Sequence, residues 1–198
     1  WTPDARGGSQ LLRQTVQGHR REFHQRLDQA PIAATSIFNG MFTDLLTGQA
    51  PLILFRFKRV VYWENADQQL DFTTIENTAE FTAYTALDRS SPRFLRIAGD
   101  RLSAHELVTV AQQVTGEKFR LFRAGSLSRL GKMIKLSRAV FPQKKALYPA
   151  WQGMQYMHNM FSGLAHLGPL NRELYPGIQW TSVCDFLSAH MNHRTSTI

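Results

Sequence analysis

Leu12, Val16, His19, Phe23 and Leu27 recur every three or four positions, with Arg13, Arg20, Arg21 and Gln25 set between them. That spacing gathers one stripe on one side of a helix, so it predicts an amphipathic α-helix closed by Pro31. The period then changes. Ala33-Ala34-Thr35-Ser36-Ile37-Phe38 is short, partly β-branched and bounded by Asn39-Gly40, which reads as a buried strand ending in a tight turn. Leu52 to Tyr62 holds more strand material, interrupted by Lys58 and Arg59. Leu70, Phe72 and Thr74 alternate with Asp71 and Thr73 as a further short strand, and a helix is predicted over roughly Asn77 to Leu87.

Arg93 to Ala98 reads as a strand, with Gly99-Asp100 turning the chain into Ser103-Ala104-His105-Glu106. There a Ser cap and a Glu three residues on satisfy each other's backbone donors, which marks the start of a helix that Gly116 ends. Strand-like alternation follows over Lys118 to Arg123, and a helix over Ser126 to Val140. Tyr148-Pro149 introduces a helix rich in Trp, Met and Tyr, and Thr181 is the expected cap of a last helix through Ser188. From His190 the chain is expected to be a frayed polar tail. Helices alternating with strands predict an α/β fold built on a parallel sheet.

Composition narrows the class. With 198 residues, 43% apolar and 19% charged, the chain reads as one soluble globular domain or domain fragment over 1–198. Cys184 is the only cysteine, so no internal disulfide is possible, and the expected compartment is the cytoplasm. The longest apolar runs are far shorter than the roughly 20 residues that a membrane helix needs, so no membrane partner is expected. The 23 Lys and Arg against 15 Asp and Glu favour anionic partners, whether phosphate-bearing cofactors or nucleic acids.

Arg20-Arg21-Glu22-Phe23-His24 followed by Pro31 through Phe42 resembles the helix, strand and post-strand turn in the middle of NmrA-like and isoflavone-reductase-like proteins, which are atypical short-chain dehydrogenase/reductases. Leu70 through Ala79 resembles that family's strand-to-helix segment, and Phe94 through Asp100 with Leu102-Ser103 its later strand and capped helix. The likeness covers residues 19–186, leaving 1–18 as an unassigned N-terminal segment and 190–198 as the polar tail. It implies the C-terminal part of a Rossmann-like parallel sheet with flanking helices and a small helical substrate-binding region. It further implies a parent that uses NADP or NAD to reduce a small organic substrate.

Two features depart from that family's pattern. None of the thirteen glycines has the G-x-G-x-x-G or G-x-x-G-x-x-G spacing that lets backbone approach a pyrophosphate at a helix N-terminus. The dinucleotide-binding half is therefore expected to be absent, leaving weak or no cofactor binding by this chain alone, with self-association or the missing N-terminal half as its protein partner. The second departure is chemical. No Tyr is followed by Lys four residues on, and 11–27 contains no Lys, so no catalytic residue is assigned. A non-catalytic NAD(P)-sensing protein is the principal alternative to a reductase, and a basic nucleic-acid scaffold the second.

The resemblance places Asn39 and Gly40 beside the nicotinamide, where small residues would let a flat ring lie on backbone; a plain turn after a strand is the competing explanation. Trp151, Met154, Met157 and Phe161, with Tyr156 nearby and Phe42 after the strand, are the candidate apolar wall of a substrate pocket. Core packing of that helical stripe is the stronger reading. Arg129, Lys132, Lys135 and Arg138 recur at steps of three inside a stretch, Lys118 to Lys145, with nine cations and no acid. A solvated helix face accounts for them better than nucleic acid, since little aromatic residue is interleaved. His105-Glu106 lacks the second His of a zinc helix, which would stand at Thr109, so no metal is assigned.

Overall fold

The computed structural model describes residues 16–47, 50, 52–141 and 149–195, with side chains from 22 to 192. The predicted stripe positions Leu12 and Val16 and the Tyr148 of the aromatic helix's lead-in lie outside those described residues or side chains. Among the described residues six α-helices and eight strands alternate as expected of an α/β chain. They are α1 (Val16–Gln29), β1 (Ser36–Asn39), β2 (Met41–Phe42), β3 (Ile53–Leu54), β4 (Arg59–Trp63), β5 (Leu70–Thr73), α2 (Ile75–Leu87), β6 (Phe94–Ile97), β7 (Asp100–Leu102), α3 (Ala104–Thr115), β8 (Arg120–Gly125), α4 (Leu127–Val140), α5 (Ala150–Phe161) and α6 (Val183–Thr195).

β1 lies parallel to β6, Ser36 opposite Phe94 and Asn39 opposite Ile97, and α2 leads from β5 into β6. The far edge of β6 is closed by Asn171, whose side chain accepts from Arg96 N–H (2.8 Å) while its own N–H donates to the Arg96 carbonyl (2.7 Å). The far edge of β1 carries no strand among the described residues. β2 continues β1 and pairs parallel with β5, and β7 closes the other side of β5 antiparallel. β3 and β4 form an antiparallel hairpin whose corner is a 3-10 turn, Phe55–Phe57, ended by Lys58 at φ 51°, and β8 joins β4 in parallel. The interruption at Lys58 and Arg59 is thus a hairpin corner.

Alternation along β1 and β6 divides their side chains between two faces. Ile37, Leu95 and Ile97 meet Phe81 of α2, Ile178 and Trp180 in a small apolar cluster. Phe38 and Phe94 lie on the other side under α1. There the expected anchor, Phe23, is 59% exposed and Leu27 only half-buried. His24 holds the helix instead: its ring stacks on Phe38 at 5.8 Å, and its Nδ1 lies 3.3 Å from the Ser36 hydroxyl. The larger core joins Met41, Leu52, Val60, Leu70 and Phe72 of the sheets to Leu107 and Ala111 of α3, Leu130 and Ile134 of α4, Met157, Met160 and Phe161 of α5, and Val183 and Leu187 of α6.

The helix ends follow local chemistry. Ser103 and Glu106 form the expected capping box, and the Ser103 N–H donating to Glu106 holds that carboxyl below the usual carboxylate range. Gly116 ends α3 at φ 70°. The last helix is capped not by Thr181 but by Ser182, whose hydroxyl accepts from Asp185 N–H; the Thr181 N–H donates to Asn77 of α2. That helix continues past His190 to Thr195.

Candidate functional site

The strand-to-strand passage at Gly40 is the centre of the candidate site. Asn39 ends β1 and Met41 opens β2, so the chain runs straight on here and the expected tight turn is not formed. Glycine is required for a different reason. A Cβ at position 40 would stand 2.1 Å from the Asp71 carbonyl oxygen and 2.8 Å from Asp71 Cβ, so the two backbones approach more closely than any side chain permits. The turn signal in the sequence was a close approach set by a strand 31 residues away.

Asp71 stands at a polar position of an alternating strand, yet β5 is central in its sheet and all four of its residues are buried. Burying a carboxylate requires partners for its oxygens. Oδ1 accepts from Arg101 Nε of β7 at 2.6 Å, Oδ2 accepts from the Leu167 N–H at 2.9 Å, and His166 Nδ1 lies 3.4 Å from Oδ2. Arg101 also donates to the Gly168 carbonyl at 3.0 Å. Asp71 is thereby committed on both oxygens, and it straps the segment after α5 to the sheet directly beneath Gly40. Sequence reasoning passed over Asp71 and Arg101, whose only signal was an acid inside a mostly apolar strand; His166, beside Asp71, reads from sequence as a hydrogen-bonded structural histidine rather than a base.

Asn39 folds its amide Nδ2 onto the Gly40 carbonyl (3.0 Å), which leaves the end of β1 half-exposed and polar. Phe42 lies two residues on and lines an open, largely apolar groove of about 490 Å³ with Ile75, Thr78, Ala79, Thr82, Ala83 and Ala86 of α2. The N-terminus of α2 at this groove is held by Asp44, which accepts from Ile75 N–H at 3.0 Å, and by the Thr74 hydroxyl, which accepts from Asn77 N–H. A second cleft of about 430 Å³, between Phe55, Val114, Glu117, Phe119 and Met191, contains none of the expected site residues.

The α5 residues occupy other surroundings. Met157 and Phe161 are buried in the larger core, Phe161 5.4 Å from the Trp63 ring, and Met154 packs against that core from its margin. The Arg138 guanidinium covers Trp151 at 5.2 Å, while Tyr156 lies 37% exposed. Of the expected pocket residues, Phe42 alone lines either cleft. His158, also on α5, faces Gly131 of α4; its Nδ1 is buried without a hydrogen bond, and loss of hydration lowers its pKa. No cluster of three metal-ligating side chains occurs among the described residues, and no described helix is long and apolar enough to cross a membrane.

A parallel β1–β6 pair, with mixed sheets and flanking helices, makes a partial Rossmann-like α/β fold. Solved structures share it. Isoflavone reductase superimposes with a TM-score of 0.68 at 13% identity, over 93% of this chain and 61% of that one. Leucoanthocyanidin reductase from Vitis vinifera, in a binary complex with NADPH, gives 0.68 at 12% identity, over 88% and 60%. The NADPH-dependent quinone oxidoreductase from Escherichia coli, complexed with NADPH, gives 0.64 at 16%, over 88% and 59%. The fold is therefore the one that the NmrA-like and isoflavone-reductase-like resemblance implied. This chain spans about three-fifths of the length of those proteins. No family model matches it, and no curated protein does.

Proposed function

We propose that this chain is the substrate-side part of an NAD(P)-dependent reductase of small organic molecules, with the dinucleotide held mainly by sequence outside these 198 residues. The observation that carries the reading is β1. It pairs in parallel on one side only among the described residues, and ends in the half-exposed Asn39-Gly40 backbone locked over Asp71. In a Rossmann-like sheet, ligands lie beyond the carboxyl ends of the strands. A sheet completed on the open edge of β1 would bring a nicotinamide over Asn39 and Gly40. The Phe42 groove, about 490 Å³ and largely apolar, is of a size to take the unreactive part of a substrate.

A non-catalytic NAD(P)-binding regulator is the second reading, favoured by one observation: α1 contains no lysine to handle the carbonyl proton or the ribose. The two readings part on turnover. Full-length protein titrated with NADPH and then assayed for its oxidation with quinone and aryl-ether substrates should both bind and consume it. Tight binding with no consumption would transfer the assignment to the regulator, and absence of binding would remove both.

A further inference from the structure

α4 presents two faces with different work. Its inner face is settled, since Leu130 and Ile134 are buried, Gly131 meets His158, and Arg138 lies over Trp151, all toward α5 and the core. Its outer face carries Met133, Leu136 and Val140 at 51%, 64% and 56% exposure, and the capping Phe141 is 67% exposed. Steps of three and four residues align the first three along one line of the helix. Arg129 stands exposed on that line, Lys132 beside it and Lys135 on the flank beyond, and none of the three forms an ion pair among the described residues. From Lys118 to Arg172 the sequence has no Asp or Glu at all.

A solvated face explains the cations and leaves the apolar line unexplained. We propose that the outer face of α4 docks on an anionic lipid bilayer, lying in the plane of the surface with Met133, Leu136, Val140 and Phe141 inserted among the acyl chains. Arg129 and Lys132 then sit at headgroup depth against lipid phosphates, and Lys135 adds attraction to the surface from the flank beyond. An apolar line rimmed by Lys and Arg is what interfacial helices use, and each cation adds attraction to a negative surface. A second copy of the chain fits less well, because it would bring the same uncompensated cations together. A nucleic acid would engage the cations but gain nothing from three aliphatic side chains at the centre of the strip, where it would need aromatic platforms.

The test is co-sedimentation of the full-length protein with vesicles of phosphatidylcholine alone and of phosphatidylcholine mixed with phosphatidylglycerol. Binding is expected to the mixed vesicles only, and to be lost in about 1 M salt, where the screening length is about 3 Å. Lys132→Gln with Lys135→Gln should weaken it by about 30-fold. Independently, Leu136→Glu with Val140→Glu should weaken it by about tenfold or more. All four positions are exposed, so circular dichroism and the thermal midpoint should match the parent, and either pair serves if the other misfolds. No binding to the mixed vesicles, equal binding to both kinds, insensitivity to the glutamate pair, or displacement from vesicles by single-stranded RNA would each overturn the proposal.

Discussion

Replacing Gly40 by alanine adds one methyl where there is no room. Its Cβ would lie 2.1 Å from the Asp71 carbonyl oxygen, about 1.3 Å short of the 3.4 Å at which ordinary contact begins. The obstacle is backbone, held by β2 on one side and β7 on the other, so neither partner has a flexible end to move aside. Overpacking of a rigid site costs about 1–3 kcal/mol, and a backbone obstacle belongs at the upper end. About 3 kcal/mol corresponds to a fall in thermal midpoint of roughly 6–12 °C for a chain of this size. Two further glycines calibrate the measurement. Gly153 lies inside α5 with nothing within 4 Å of a built Cβ, so Gly153→Ala should gain about 0.5–1 kcal/mol. Gly116 also has open space but φ 70°, so Gly116→Ala should lose about 1 kcal/mol from backbone strain alone. Denaturant titrations of the three variants decide it. If Gly40→Ala is as stable as the parent, or loses no more than Gly116→Ala, the close approach to Asp71 is not what demands glycine there.

Other consequences are as direct. Asp71→Asn keeps the shape but sets an amide against the Leu167 N–H or the Arg101 guanidinium, and should cost about 2–3 kcal/mol. Glu117→Gln in the exposed pair with Lys58 should cost about 1 kcal/mol at most; equal losses would deny Asp71 its strapping role. His158 is held neutral by burial, so its folded pKa lies below the usual value and the unfolded chain takes up the proton first. Its contribution is complete above about pH 6.5 and drains away as pH falls toward the folded pKa. His158→Leu should therefore flatten the stability difference between about pH 7.5 and about pH 5.5, and an unchanged slope would show that the ring is hydrated. The 198-residue chain alone should hold NADPH no better than roughly millimolar in calorimetric titration, because an incomplete pocket leaves most of the ligand in water. Micromolar binding by a monomeric sample would place the cofactor site within this chain.

Features set by neighbours in sequence were the legible ones. The box at Ser103 and Glu106, the Gly116 ending and the helix after Ser126 depend on residues within one turn of each other, and each stands where its residues predicted. Misreadings came where a distant partner decides. Asn39-Gly40 carries turn chemistry, but Asp71 supplies the reason for glycine. β7 has three residues and exists by pairing with β5, so the Gly99-Asp100 signal concealed it. Asp71 alternates like a surface residue, and only the strands on both its flanks bury it. On α5 the spacing of Met and Phe reads more strongly as core than as pocket wall, and packing against α4 and β4 makes Met157 and Phe161 core.

The reach of Asn77 sets an order on folding. Its side chain, almost fully buried in the first turn of α2, donates to the Gln179 carbonyl and accepts from the Thr181 N–H, across separations of 102 and 104 residues. The cluster beneath it repeats that arrangement, since Phe81, Leu95 and Ile97 are joined by Ile178 and Trp180. A chain emerging from the ribosome thus presents α2 and the β1–β6 pair long before the residues that cover them exist. Closing so long a loop adds an entropic cost that nearby contacts do not carry. The parallel strand pair is consequently sealed late, and until residues 178–181 have been made it needs protection from other chains.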